Sequence, residues 1–355
     1  MTASLRPELL AWVEQCTGSA ITSGAPIGAG SSRRTWGVDL ADGRQLVVRE
    51  DTGGGPTSNT PLDLAREATV YRALDASSLP VPRLVGVAPD ATALLLERAS
   101  GEADLSPLPV EARNAVMADY LRCLGRLHML DVTRLDLGTL PVPSTGPDHA
   151  LLDIALWQSI HDSIEDTWRT TAGTFALAWL QQHPPASATR TSLCHGDAGA
   201  LNFLQENGRV TALLDWEFTH VGDPLDDLAW VSARNFLLRT RLDTSAAFEA
   251  WREVTGCDLD AARLEYYRVL VLVRMLVSCD ATVRWSGGAE TAETRTQVLL
   301  RPLLARCLGP ALRRAGCTDD ALNALERDAA VAWSTSPLRG AFGEEPELED
   351  FGVLR

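Results

Sequence analysis

Apolar positions in residues 5–17 recur at helical spacing and predict a short amphipathic helix. From Gly24 to Glu50 the pattern changes to brief β-like runs. ITSGAPIGAG, RTWGVDL and RQLVVRE, separated by Gly and Asp, predict three antiparallel strands, with Ala41-Asp42-Gly43 as a tight turn. Residues 51–60 (DTGGGPTSNT) are polar and Gly-rich and predict a flexible loop, not a phosphate cradle. A helix follows, with Thr60 as N-cap, Pro61 at the first helical position and Asp63 completing a capping-box-like T-x-x-D. Leu64, Glu67, Tyr71 and Leu74 then share one face. A Glu within an apolar stripe points at the core and calls for a cationic partner there.

Two more strands are predicted near Arg83–Val87 and Ala91–Glu97. Beyond Ala99-Ser100-Gly101 the period is helical, with helices expected near 109–130, 148–181, 223–239, 244–255, 259–281, 290–315 and 318–333. One β island interrupts them, from Leu193 to Phe218. The acidic tail EEPELED reads as solvated. The expected architecture is α+β: a small antiparallel-sheet lobe at 1–99, a hinge at about 97–103 and a larger, mostly helical lobe at 100–355.

Composition narrows the chemistry. The formal net charge is −15, which argues against nucleic acid and anionic membranes as partners. All 32 basic residues are arginine. The absence of lysine excludes a Schiff-base lysine and a Walker-type phosphate loop. The seven cysteines are scattered without a C-x-x-C, the pattern of reduced thiols in a cytoplasmic protein. The N-terminus lacks a basic segment followed by an apolar core, so no secretory signal is expected. The most apolar stretch, Val269–Cys279, is short and contains Arg274; it predicts a buried helix rather than a membrane span.

The segment from Leu193 to Ala229, LCHGDAGALNFLQENGRVTALLDWEFTHVGDPLDDLA, carries the candidate chemistry. His195-Gly196-Asp197 follows an apolar pair. Asn202 lies five positions after Asp197, and a strand at Val210–Leu214 delivers Asp215 at its end. Two acids and an amide on a hairpin-like unit suit a hard, oxygen-liganded cation such as Mg²⁺, with the other acid left to orient a hydroxyl.

H-G-D-x-x-x-x-N, then D-W-E, then G-D-P-x-x-D-L-A resembles the aminoglycoside phosphotransferase family and its choline- and macrolide-kinase relatives. D-W-E stands where protein kinases have D-F-G. LGRLHMLD at Leu124–Asp131 and the hinge-like L-L-L-E-R-A-S-G extend the resemblance over the chain. The resemblance implies a protein-kinase-like two-lobed fold. It also implies transfer of the γ-phosphate of ATP or GTP to a hydroxyl of a small molecule. In that reading Asp197 orients the acceptor hydroxyl, Asn202 and Asp215 hold Mg²⁺, and Glu217 supports the metal. Gly28, Gly30, Ser31 and Ser32 cover the phosphates, and the backbone at Glu97 and Ala99 meets the purine. Arg49 stands where kinases carry a β3 lysine, with Glu67 as its partner; some macrolide-kinase-like and acyl-CoA-dehydrogenase-associated relatives also carry Arg there. An Arg in this place is bulkier and forks its hydrogen bonds, so it is not a neutral exchange.

Other histidines and acids have structural readings. His195 and Asp227 brace the catalytic loop, Asp223 starts a helix ahead of Pro224, and His128 is a satisfied core histidine. The ten tryptophans are mostly core. Two competing functions are a nucleotide-binding protein with little catalysis, motivated by Arg49, and a metal-dependent hydrolase using His195, Asp197 and Asp215. The acceptor and the oligomeric state are not legible.

Overall fold

The computed structural model describes residues 5–29, 33–53, 60–240, 242–288, 294–344 and 346. The chain opens with helix α1 (Pro7–Thr17), followed by strands β1 (Ile21–Ala29), β2 (Arg33–Leu40) and β3 (Gln45–Asp51). Helix α2 (Leu64–Leu74) precedes β4 (Leu84–Val87) and β5 (Ala93–Glu97). These strands form one antiparallel sheet in the order β1-β2-β3-β5-β4.

Alternation along β3 decides what each face holds. Leu46 and Val48 bury against α1 in a cluster with Leu9, Val13, Trp36 and Leu95. Arg49 lies on the opposite face with Val47, opposite Leu94 of β5, whose side chain belongs to the main core with α2. The strand period thus aims Arg49 at the α2 side.

The rest is mostly helical. Helices α3 (Val110–His128), α4 (Asp148–Asp162) and α5 (Thr171–Gln182) lead to the strands β6 (Ser192–Cys194), β7 (Phe203–Glu206), β8 (Arg209–Leu213) and β9 (His220–Gly222). Helices α6 (Leu225–Leu237), α7 (Thr244–Thr255), α8 (Ala261–Trp285), α9 (Arg295–Arg314), α10 (Ala321–Ser334) and α11 (Arg339–Phe342) complete the chain. The β island is two small antiparallel pairs, β6–β9 and β7–β8, so its last strand falls just beyond Phe218.

Two helix expectations need correction. Helix α2 begins at Leu64 rather than after Thr60: Asp63 is itself the N-cap, its Oδ1 accepting from Arg66 N at 2.8 Å. Thr60 Oγ1 instead accepts from Leu62 N, in a turn that seats Leu62 in the core. The helix expected over 148–181 is two, α4 and α5. Arg169 closes the end of α4, its Nε donating to Ile164 O at 2.5 Å and its Nη2 to Asp162 O at 2.9 Å. Guanidinium donation to terminal carbonyls is a helix stop that hydrophobic periodicity does not register. Residues 54–59 of the Gly-rich loop, and 345 and 347–350 of the acidic tail, lie outside the described residues.

The buried helix expected around Arg274 is α8. Arg274 is 1% exposed and fully partnered: Nε donates to Asp153 Oδ2 at 2.8 Å, and Nη1 reaches both Asp226 oxygens at 2.7 and 2.8 Å. No helix among the described residues is long and apolar enough to cross a membrane. Trp333 is buried, its Nε1 donating to backbone carbonyls, whereas Trp285 is 43% exposed.

Candidate active site

The loop from His195 to Asn202 joins β6 to β7. Gly196 has φ +82°, and a Cβ there would lie 2.0 Å from the Phe218 carbonyl oxygen, so only glycine lets the loop press against residues 216–219. Asp227, at the start of α6, holds the loop from below. Its Oδ2 accepts from His195 N at 2.7 Å and its Oδ1 from Gly196 N at 2.8 Å. Burial would raise the Asp227 pKa, but its bonds with His128, His195 and Gly196 outweigh this and hold it below the usual carboxylate range. His128 Nε2 donates to Asp227 Oδ2 at 2.9 Å while its Nδ1 accepts from Trp251 Nε1 at 2.8 Å. His195 Nε2 donates to Leu214 O at 2.8 Å, and its Nδ1 faces Asp197 N at 3.3 Å. Both ring nitrogens of each histidine are therefore occupied within the protein.

Asp197 and Asn202 come together as their spacing suggested. Asn202 Nδ2 donates to Asp197 O at 2.8 Å and to Asp197 Oδ2 at 2.7 Å. The amide hydrogens are thereby committed to the loop, which leaves the amide oxygen of Asn202 for a cation. Arg234 of α6, passed over in the sequence, forks the same carboxylate: its Nε donates to Asp197 Oδ1 at 3.0 Å and its Nη2 to Oδ2. Burial pushes the Asp197 pKa up, and Arg234 opposes that shift without cancelling it. Arg234 lies seven residues after Asp227, hence on the same helix face, and that spacing was the available signal.

Asp215 follows β8 with φ +67°, a left-handed conformation uncommon outside glycine and one that Asp tolerates better than most residues. Arg49 meets it. The Arg49 Nη2 to Asp215 Oδ1 distance is 2.5 Å, and Nε lies 2.9 Å from Glu67 Oε2. The pair expected between Arg49 and Glu67 is present, and the same guanidinium reaches across to Asp215. Burial would raise Asp215, yet Arg49, His195 and Arg234 hold it below the usual range. Glu217, 3.9 Å from Arg49, is pushed up to about 8 by burial and by the neighbouring Asp215. Oxygens of Glu67, Asp215 and Glu217 lie within 4.8 Å of one another, a hard oxygen-donor set of the type that binds Mg²⁺.

The remaining expected residues are placed as follows. Gly28 pairs with Thr35 near the end of β1. Gly30, Ser31 and Ser32 lie outside the described residues. Glu97 closes the sheet opposite Leu46, with its N–H given to Arg83 O at 2.9 Å and its carboxylate to Arg83. Among the described residues the backbone of Ala99 makes no hydrogen bond, whereas Arg98 N donates to Gln45 O and Ser100 O accepts from Thr211 Oγ1. Asp223 Oδ1 accepts from Leu225 N at 3.1 Å and so starts α6 as expected. A cavity of about 380 Å³ between α2, residues 137–141, α4 and β9 includes Arg66, Asp153 and His220 in its lining but none of Asp197, Asn202 or Asp215.

Comparison with known proteins gives the family and the fold. Residues 23–266 match the family described as "Phosphotransferase enzyme family". Among curated proteins, the chain is 29% identical over 292 residues to acyl-CoA dehydrogenase family member 10 of Mus musculus, covering 79% of this chain and 26% of the relative. It is 23% identical over 177 residues to hygromycin-B 4-O-kinase of Escherichia coli, covering 46% of this chain and 50% of the kinase. The chain thus spans about a quarter of the length of the first relative and half that of the second. Among solved structures, an aminoglycoside phosphotransferase in ternary complex with ADP and hygromycin B superposes with a TM-score of 0.58 at 19% identity, covering 88% of this chain and 100% of that one. A type I macrolide 2′-phosphotransferase gives 0.57 at 17% identity, covering 84% and 97%. These structures share the kinase-like fold, with its small antiparallel-sheet lobe and mostly helical remainder, and on the family match the chain belongs to the phosphotransferase enzyme family.

Proposed function

We propose that this protein transfers the γ-phosphoryl group of ATP or GTP to a hydroxyl of a small molecule. Asp197 orients the acceptor hydroxyl. Asn202 and Asp215 hold Mg²⁺, with Glu217 beside them. Arg49, fixed by Glu67, presents a cation to the phosphates from the sheet lobe at 1–99. Gly28, Gly30, Ser31 and Ser32 cover those phosphates, and the hinge backbone at Glu97 and Ala99 meets the purine edge. Bound Mg²⁺ would offset charge on the phosphate oxygens. The protein's share is positioning and electrostatics, because a loose phosphoryl-transfer transition state asks for little covalent chemistry. The neighbour that binds ADP and hygromycin B supports a nucleotide co-substrate and a small acceptor. The scattered cysteines without a C-x-x-C support a cytoplasmic protein.

The observation that carries this reading is the joint placement of Asp197, Asn202 and Asp215, with the Arg49–Glu67 pair closing on Asp215. A hydrolase using His195 as a metal ligand is disfavoured, because both ring nitrogens are spent on the loop. The Arg49–Asp215 contact favours one second reading: a chain that binds nucleotide without turning it over. The test is thermal stabilisation by ATP and GTP with and without Mg²⁺, in wild type and Asp215→Ala, followed by a screen of hydroxyl acceptors. A Mg²⁺-dependent shift lost in the variant, followed by turnover, supports the kinase. A shift without turnover on any acceptor supports the binding protein, and no shift at millimolar nucleotide overturns both.

A further inference from the structure

Helix α6 grips the catalytic loop at two points on one face. Asp227, in its first turn, takes the backbone N–H groups of His195 and Gly196. Seven residues later, two turns along, Arg234 takes the side chain of Asp197. A third bond, from Arg234 Nη1 to Ala200 O at 3.1 Å, fixes the guanidinium in plane. Space for it comes from Gly199. That residue has φ +139°, and a Cβ there would lie 2.7 Å from Arg234 Cδ. The arginine side chain is 19% exposed and that of Asp197 10%, so the pair is largely withdrawn from water.

A carboxylate has about four lone-pair sites. On Asp197, Arg234 Nη2 and Asn202 Nδ2 take both sites of Oδ2, and Arg234 Nε takes one of Oδ1. One site is left, on Oδ1. We infer that Arg234 is a positioning residue for the phosphoryl transfer, and that its fork turns Asp197 so that Oδ1 alone faces the acceptor hydroxyl. The inference rests on the kinase reading and names the acting atom within it. The acceptor oxygen forms a bond to the γ-phosphorus. The bond from that phosphorus to the β,γ-bridging oxygen breaks, its electron pair leaving with the nucleoside diphosphate. The hydroxyl proton passes to Asp197 Oδ1 and then to solvent. A lysine in place of Arg234 would supply the charge but not the fork, because an ammonium is a point charge without a plane.

The experiment measures ADP formation from MgATP, with an acceptor from the hydroxyl screen or with water where none turns over, alongside melting temperature. Wild type, Arg234→Lys, Arg234→Gln, Asp197→Asn and the double variant Asp197→Asn/Arg234→Gln are compared. Arg234→Lys is expected to keep its melting temperature and a KM for MgATP within about twofold, and to lose roughly tenfold or more in kcat. A residue that merely stabilised the fold would not produce that split. Arg234→Gln should melt lower, and the added Asp197→Asn should restore melting, because removing both charges leaves neither uncompensated. That arm reads the fork even if Arg234→Gln alone fails to fold. Wild-type kcat in Arg234→Lys, a loss confined to KM for MgATP, or no recovery in the double variant overturns the inference while leaving the kinase reading intact. A wild type that forms no ADP, whether or not it binds MgATP, overturns the kinase reading and the inference with it.

Discussion

Two aspartates lie at the candidate site, Asp197 buried and Asp215 half-buried, and each is compensated by a different arginine: Asp197 by Arg234 and Asp215 by Arg49. In the proposed kinase reading their roles differ because the geometry differs. Asp197 sits on the braced loop beside Asn202, whereas Asp215 faces the sheet lobe and its cation. Asp197→Asn should therefore lower kcat by roughly 10² or more with nucleotide affinity nearly unchanged, as steady-state kinetics beside a direct binding measurement would read. A near wild-type rate would remove Asp197 from the reaction. Gly196 offers a test that needs no substrate. Alanine there combines a positive φ with a Cβ 2.0 Å from a carbonyl oxygen, and should cost about 2–4 kcal/mol in urea denaturation. At this scale the pairing of Asp197 with Asn202 and of Arg49 with Glu67 was legible, because both rest on fixed spacing within one motif or on the period of a strand and a helix. Arg234 was passed over: its spacing from Asp227 put it on the right helix face, but periodicity does not name an ionic partner 37 residues away.

Among the elements, α4, α6 and α8 are tied together by one buried charge cluster. Arg274 of α8 ties Asp153 of α4 to Asp226 of α6, and His220 Nε2 of β9 lies 3.2 Å from Asp226 Oδ2. Replacing Arg274 by Met would remove the guanidinium that bridges two buried carboxylates and leave His220 alone between them, and should cost about 3–5 kcal/mol in chemical denaturation. The same cluster predicts a pH dependence. Burial alone would lower the His220 pKa, but Asp153 and Asp226 more than offset it, so the folded value stands above the ordinary one. A raised folded pKa gives stability that is fully present below the unfolded value of about 6.5 and fades as pH rises through the folded value. Denaturation midpoints should fall across that window, and His220→Asn should flatten the fall; an unchanged slope in the variant would show that His220 is not its source. Element identity was largely legible, because periods of 2 and 3.6 follow from which face is buried. Some element ends were, as with the helix expected over 244–255, which is α7, and others were not. Asp63 and Arg169 set boundaries through side-chain bonds to the backbone, a signal that polar residues give equally in loops.

For the whole molecule, the sequence indicated a strand-rich beginning and a helical remainder, and the fold has that order. It did not indicate how the two parts share a core. The sheet face carrying Leu94 and Leu96, with Leu64, Tyr71 and Leu74 of α2, belongs to the same buried cluster as Tyr120, Phe203 and Trp216. Polar ties cross as well: Leu213 N donates to Pro80 O at 2.7 Å, Arg66 Nη2 donates to Thr219 O, and Arg49 reaches Asp215. Only the smaller cluster under α1 is internal to the sheet part. Residues 1–99 alone would expose one sheet face and the core side of α2, and would leave Arg49 Nη2 without Asp215. Hydrophobic surface of that extent is costly to hydrate, and a small domain has little stability in reserve to offset it. The full chain should therefore unfold in urea as one transition, with tryptophan fluorescence and far-ultraviolet circular dichroism superimposing, and a fragment of residues 1–99 should show no cooperative melt. A fragment that melts cooperatively, or two separated transitions in the full chain, would mean that the cluster under α1 suffices to fold the sheet part and that the shared core only docks it.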